Sequence, residues 1–368
     1  MASGDAVSKV EGSTVIDLQN GLAAGVMGGG MALSVDGGTM MDFFNGTLDA
    51  ENDAFKPINE LGKKISEKLK GFSPELTETV KTESGTALAE SHDITIKVGT
   101  GMTTLGLVGG GIAATYQNNH PASSAVSTAK ADNVTILLGG NEAKPDQTFD
   151  VAWKSGLISA IKNLGASGGK AKVDKVVEFA TAIDDYDGAT IGVLGGGIAL
   201  GYDDSVRGDN GEHSPKADAS VKNVGIQVNS GYNVALVAGG FAVGSGHSLT
   251  GKDVLASANV DEDVLVNIAG GETIGLMGGG VAVWTGSKEA HKGLGVQANV
   301  DNVTFNVMGG SVDGLFGGGL AVDDSNPEVG GVYEDARNAE ANVGNVNINV
   351  AGGKVGRLHV EVFNEVEN

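Results

Sequence analysis

The stretch NVTFNVMGGSVDGLFGGGLAV, Asn302 to Val322, decides the fold. Its first six residues alternate. Val303, Phe305 and Val307 stand between Asn302, Thr304 and Asn306. Period-two alternation of β-branched and aromatic residues marks a strand with one buried and one wet face. A Gly-Gly turn follows at Gly309-Gly310, and then a glycine-rich core, GLFGGGLAV, from Gly314.

The same grammar recurs along the chain. Glycine-rich cores begin at Gly25, Gly106, Gly192, Ala235, Gly275 and Gly314, with a degenerate copy at Gly356. The last four spacings are close to 40 residues, a period expected of one supersecondary unit per repeat. Alternating strands precede the cores at Ile94-Ile96-Val98, Val134-Ile136-Leu138, Val224-Ile226-Val228, Val264-Val266-Ile268 and Val346-Ile348-Val350, and Thr14-Ile16-Leu18 completes seven. A weaker strand comes before four of these, as in Ala217-Ala219-Val221 and Val254-Ala256-Ala258-Val260.

Two stretches break the rhythm and carry a helical period. One has Ile58, Leu61, Ile65 and Leu69 on one face; the other has Leu157, Ile161 and Leu164. The expected division is a first β-repeat over 1–46, a helical insertion over 47–90, β-repeats over 91–142, a second helical insertion over 143–187, and β-repeats over 188–368. The six prolines fall in loops or insertions, as ladder hydrogen bonding requires.

The expected fold class is all-β, a parallel β-solenoid (β-helix) of about seven Gly-rich units with inserted α-helices. The alternative is a seven-bladed β-propeller. Three strand-like segments per unit, chemically alike Asn and Val columns, and the lack of an aromatic blade signature favour the solenoid. Both faces of the glycine-rich segment are apolar, so a solenoid leaves an apolar stripe facing outward. That predicts a second layer over the sheet: the helical insertions in the N-terminal half, another copy or a partner over the C-terminal units. Met277, Phe316, Val281 and Leu320 mark this packing or partner face.

Composition excludes several function classes. The 368 residues carry 24 basic and 46 acidic side chains, a net charge of −22, which disfavours nucleic acid and anionic membrane surfaces. Forty per cent hydrophobic content supports a folded core despite 61 glycines. With no cysteine there are no disulfides, no thiol catalysis and no thiolate metal site. No apolar run is long enough to span a membrane, and Met1 to Gly12 is too polar for a signal peptide.

NVTFNVMGGSVDGLFGGGLAV and NVNINVAGGKVGRLHVEV (Asn345 to Val362) resemble repeats of bacterial autotransporter passenger domains. The resemblance covers about seven units and implies a right-handed parallel β-helix in a secreted adhesin or related surface protein. The chain departs from that family in lacking a C-terminal membrane barrel and in its large insertions. These departures imply an excised fragment or another route of anchoring.

No catalytic constellation is evident. His92, His120, His213, His247, His291 and His359 are scattered without metal-ligand spacing, and the GGG runs lack the lysine of a phosphate loop. Acidic groups recur at Asp184-Asp185-Tyr186-Asp187, Asp203-Asp204, Asp261-Glu262-Asp263 and Asp323-Asp324. They read as solvated turns; no cofactor is expected, and calcium is the one ion such turns could recruit. Arg207-Gly208-Asp209 resembles the integrin-binding tripeptide of cell-adhesive proteins. The expected function is a non-enzymatic extracellular surface protein, adhesin-like, that binds a host surface protein or glycan or self-associates. A polysaccharide-active lyase or glycoside hydrolase is the alternative. It would need paired carboxylates in a groove and aromatic sugar platforms, for which Trp153 and Trp284 are the only tryptophans.

Overall fold

A computed structural model describes residues 5–35, 86–117, 126–144, 188–203, 216–248, 256–288, 295–325, 339–359 and 363–366. These are organised as seven tiers of strand. The fifth tier has four segments: a, Ala256–Ser257; b, Val260–Ile268; c, Glu272–Met277; and d, Val281–Lys288. The others follow it. The first holds Ala6–Val10, Thr14–Met27 and Met31–Val35, and in the second a, b and c run together as Thr86–Val108 before Ile112–Gln117. The third holds Val126–Leu138, Ala189–Leu194 and Ile198–Asp203, and the fourth Lys216–Val228, Tyr232–Val237 and Phe241–Ser248. The sixth holds Val296–Gln297, Val300–Val307, Ser311–Phe316 and Leu320–Ser325. The seventh holds Ala339–Glu340, Val343–Val350, Lys354–Val355, Leu358–His359 and Phe363–Val366.

Every pairing among these strands is parallel and joins like segments of consecutive tiers. Val264 stands beside Val224 and Val303, and Val303 beside Val346. Segments a, b and c form a 17-stranded sheet; the d segments form a separate 7-stranded sheet. A propeller blade pairs strands within one repeat and antiparallel, so the described residues do not follow the propeller alternative.

The interior has two parts. Val264, Val266 and Ile268 of segment b share one aliphatic cluster with Leu276 of segment c, which requires the large sheet to curl back on itself. The second part is thin and lined by alanine. Ala256 of an a segment and Ala258 and Ala298, which directly follow the a segments, meet the d-segment column Ala32, Ala113, Ala199, Ala242, Ala282 and Ala321. Trp284 is the large exception there, fully buried. Its column runs Ser34, Thr115, Gly201, Gly244, Trp284, Asp323, and the two glycines before it carry no side chain to compete for that volume.

Two sequence expectations need correction. The glycine-rich core is not one strand. It divides at the triple glycine into segments c and d, which belong to different sheets. The glycines stack on one another, with Gly196 N–H donating to Gly239 O and Gly239 N–H to Gly279 O, each at 3.0 Å. A Cβ on Gly279 would lie 2.5 Å from Gly319 N and 2.6 Å from its Cα, so no larger residue fits between consecutive tiers. The second correction is a boundary. Thr86–Glu90, read as the end of the first helical insertion, lies in a strand. The apolar positions on which the two helices were expected fall outside the described residues. Among the described residues no helix is long and apolar enough to cross a membrane.

Candidate interaction face

Segment c turns on itself. Thr273 and Leu276 both point inward and are fully buried although they are three residues apart, not two. The intervening Gly275 has φ +73°, a left-handed conformation that shifts the alternation by one. The same device is present at Gly25, Gly106, Gly192 and Gly314, with φ from 69° to 85°. Leu276 thus faces the core and Met277 faces out.

The outward column from segment c is Met27, Val108, Leu194, Val237, Met277 and Phe316, in direct register from tier to tier. Across the bare glycine corner runs a second outward column from segment d: Met31, Ile112, Ile198, Phe241, Val281 and Leu320. Most of these side chains are half-buried by their neighbours, and Met31 is 47% exposed. Six tiers at ~4.8 Å make a stripe of about 24 Å. Neither column carries an ionisable group from the first tier to the sixth, in a chain of net charge −22. The four residues expected on this face, Met277, Phe316, Val281 and Leu320, are brought together here. Arg207, Gly208 and Asp209 lie outside the described residues.

The corner between segments a and b is the polar counterpart. An amide column climbs it: Asn133 Nδ2 donates to Asp93 at 2.7 Å, Asn223 to Asn133 at 3.1 Å, Asn302 to Asp263 at 3.1 Å and Asn345 to Asn302 at 2.8 Å. Beside it Asp132 is paired with both His92 Nδ1 and Lys222 Nζ at 2.6 Å. The hydrogen bonds from His92 and Lys222 hold the Asp132 carboxyl below its usual value. Asp261 shifts the other way: although it keeps a solvent-exposed side, partial desolvation by its neighbours raises it, then the Asp218 charge, with Asp301 and Glu262 adding to it. The register would have shown this column in advance, since His92, Asp132, Lys222 and Asp301 each precede the Asn or Asp that opens the alternating strand.

The acidic groups do not share one environment. Asp261, Glu262 and Asp263 are exposed, whereas Asp323 points inward and is fully buried, which corrects its reading as a solvated turn. Asp184 to Asp187 lie outside the described residues. Among the described residues no group of three or more His, Asp or Glu side chains is placed to hold a metal ion. Trp284 is fully buried and so offers no sugar-stacking surface. Comparison with known protein families, with characterised proteins and with solved structures finds no match.

Proposed function

We propose that the chain is a parallel β-solenoid acting as a non-enzymatic, extracellular binding protein, adhesin-like in the manner of an autotransporter passenger. The observation that supports this reading is the uncharged outward stripe through Met277, Phe316, Val281 and Leu320 on an otherwise acidic molecule. Apolar columns on a repeated parallel sheet offer a long, flat contact surface for a protein partner. The host protein or glycan surface is its target, and the chain carries out no turnover.

Binding to host-cell surface proteins and to a glycan array tests this. Replacing Met277 and Phe316 together by Glu should abolish partner binding while leaving the far-ultraviolet spectrum unchanged. Unaltered binding would place the contact elsewhere. Cleavage of any polyuronate or glycan by the wild-type chain would overturn the reading in favour of a polysaccharide-active enzyme.

A further inference from the structure

The two ends of the stack differ from its middle. In the inward column Val98, Leu138, Val228, Ile268 and Val307, no side chain is more than 2% exposed, yet Val350, which continues it, is 52% exposed. In the column Leu107, Val193, Leu236, Leu276 and Leu315 every side chain is 0% exposed, yet Leu358 is 49% exposed. At the opposite end Leu18 and Val26 continue these two columns and, like Ile16 in the neighbouring column, are only partly buried. Among the described residues, Val343–Val350 pairs only with Val300–Val307, and Thr14–Met27 only with Thr86–Val108. Each end therefore presents, among the described residues, an unpaired ladder edge beside an open section of core.

We infer that the last tier of one molecule docks on the first tier of a second copy, continuing the parallel ladder across the junction. Three observations support a copy of this chain as the occupant. The segment-b contact is already used at each junction between consecutive tiers, so segment b of the seventh tier offers segment b of the first the same parallel ladder and alternation; the glycine corner does not repeat there, since the sequence has Val360, Glu361 and Val362 in place of Gly317, Gly318 and Gly319. The columns meet in register: Thr14 on Val346, Ile16 on Ile348, Leu18 on Val350 and Val26 on Leu358. The end charges differ. Residues 5–27 carry Asp5, Glu11 and Asp17 against Lys9, a net −2, whereas the described seventh tier carries Lys354 and Arg357 against Glu340 and Glu365, a net 0. The contact is head-to-tail and does not close, so it generates rods rather than dimers.

Sedimentation of the full chain over a rising concentration series, with electron microscopy of the same samples, reads the outcome. Rods that lengthen with concentration are expected. Val350→Lys with Leu358→Lys blocks one end, and Leu18→Lys blocks the other. Each variant alone should stay monomeric, and mixing the two should give a one-to-one dimer and nothing longer. Lys354→Glu with Arg357→Glu, both exposed, should weaken association at least tenfold and covers the case in which an apolar variant fails to fold. A wild-type chain that stays monomeric throughout overturns the inference. So does dimerisation of either end-blocked variant alone, which would mean pairing of like ends. The stripe variant of Met277 and Phe316 should still form rods, so this test and the partner-binding test fail independently.

Discussion

Ala235 offers the sharpest test of how the tiers are built. It occupies the position of Gly275 in the preceding tier and is the one non-glycine residue with positive φ among the described residues, at 56°. The left-handed conformation costs an L-residue about 1–2 kcal/mol, because Cβ crowds the following carbonyl oxygen. Replacing Ala235 by Gly removes that strain. It also returns about 0.4–1 kcal/mol of backbone entropy to the unfolded chain. The net expectation is a gain of about 0.7 kcal/mol, and little burial is lost because Ala235 is exposed. The reciprocal Gly275→Ala isolates the torsion from sterics. Its Cβ would find Ala235 Cα as its nearest neighbour at 3.9 Å, an ordinary contact. It should therefore lose about what Ala235→Gly gains. Urea unfolding followed by circular dichroism measures both, with midpoint shifts of about 0.2 M in opposite directions and unchanged slope. If Ala235→Gly is neutral or destabilising, or if Gly275→Ala is tolerated without loss, the claim that a left-handed residue turns segment c is wrong.

Gly279→Ala differs in kind: its Cβ would sit 2.5 Å from the backbone of the next tier. It should cost more than about 3 kcal/mol in urea, above the usual range for a point substitution. The pH response of the polar corner separates two carboxyls of opposite sign. Asp132 has a depressed pKa, so its contribution is present above the unfolded value of 3.8 and is lost as pH falls through its lower folded value. Asp261 has a raised pKa, so its charge is unfavourable in the folded state once pH rises through that value. Asp261→Asn should accordingly raise the urea midpoint at pH 7 and leave it nearly unchanged at pH 3, and an equal shift at both would remove charge as the cause. Asn299 accepts Asn342 N–H on its Oδ1 at 3.1 Å, so Asn299→Ala should cost ~1 kcal/mol and speed hydrogen exchange at the Asn342 amide. Unchanged exchange there would show that water replaces the side chain fully.

The alternating strands were legible because their chemistry is periodic. Val303-Phe305-Val307 and its counterparts could face only one way, and stacking like residues in columns followed from their common register. Glycine carries no such signal. GLMGGGVAV therefore read as a single strand, and which of its two apolar sets faced outward stayed open. Asp323 misled for a related reason, since its acidity suggested a turn while alternation from Ala321 placed it inside. Met277, Phe316, Val281 and Leu320 could be named as one of the two candidate outward sets, but not the fact that Met277 and Val281 lie on either side of one corner.

The sequence by itself determined the repeat, its parallel-compatible register and the inward faces of the alternating strands. Local pattern suffices where each residue pair repeats every tier. Only the tertiary structure decided the rest. The chain directly after the a segments presses against the glycine corner so closely that a Cβ on Gly280 would lie 2.5 Å from Ala258 O, and that approach makes the second core an alanine core. The left-handed Gly275 and Gly314 turned Met277 and Phe316 outward, and with alanines turned inward, Val281 and Leu320 had to turn the same way. That assignment depends on the distance between two sheets, which no single segment encodes.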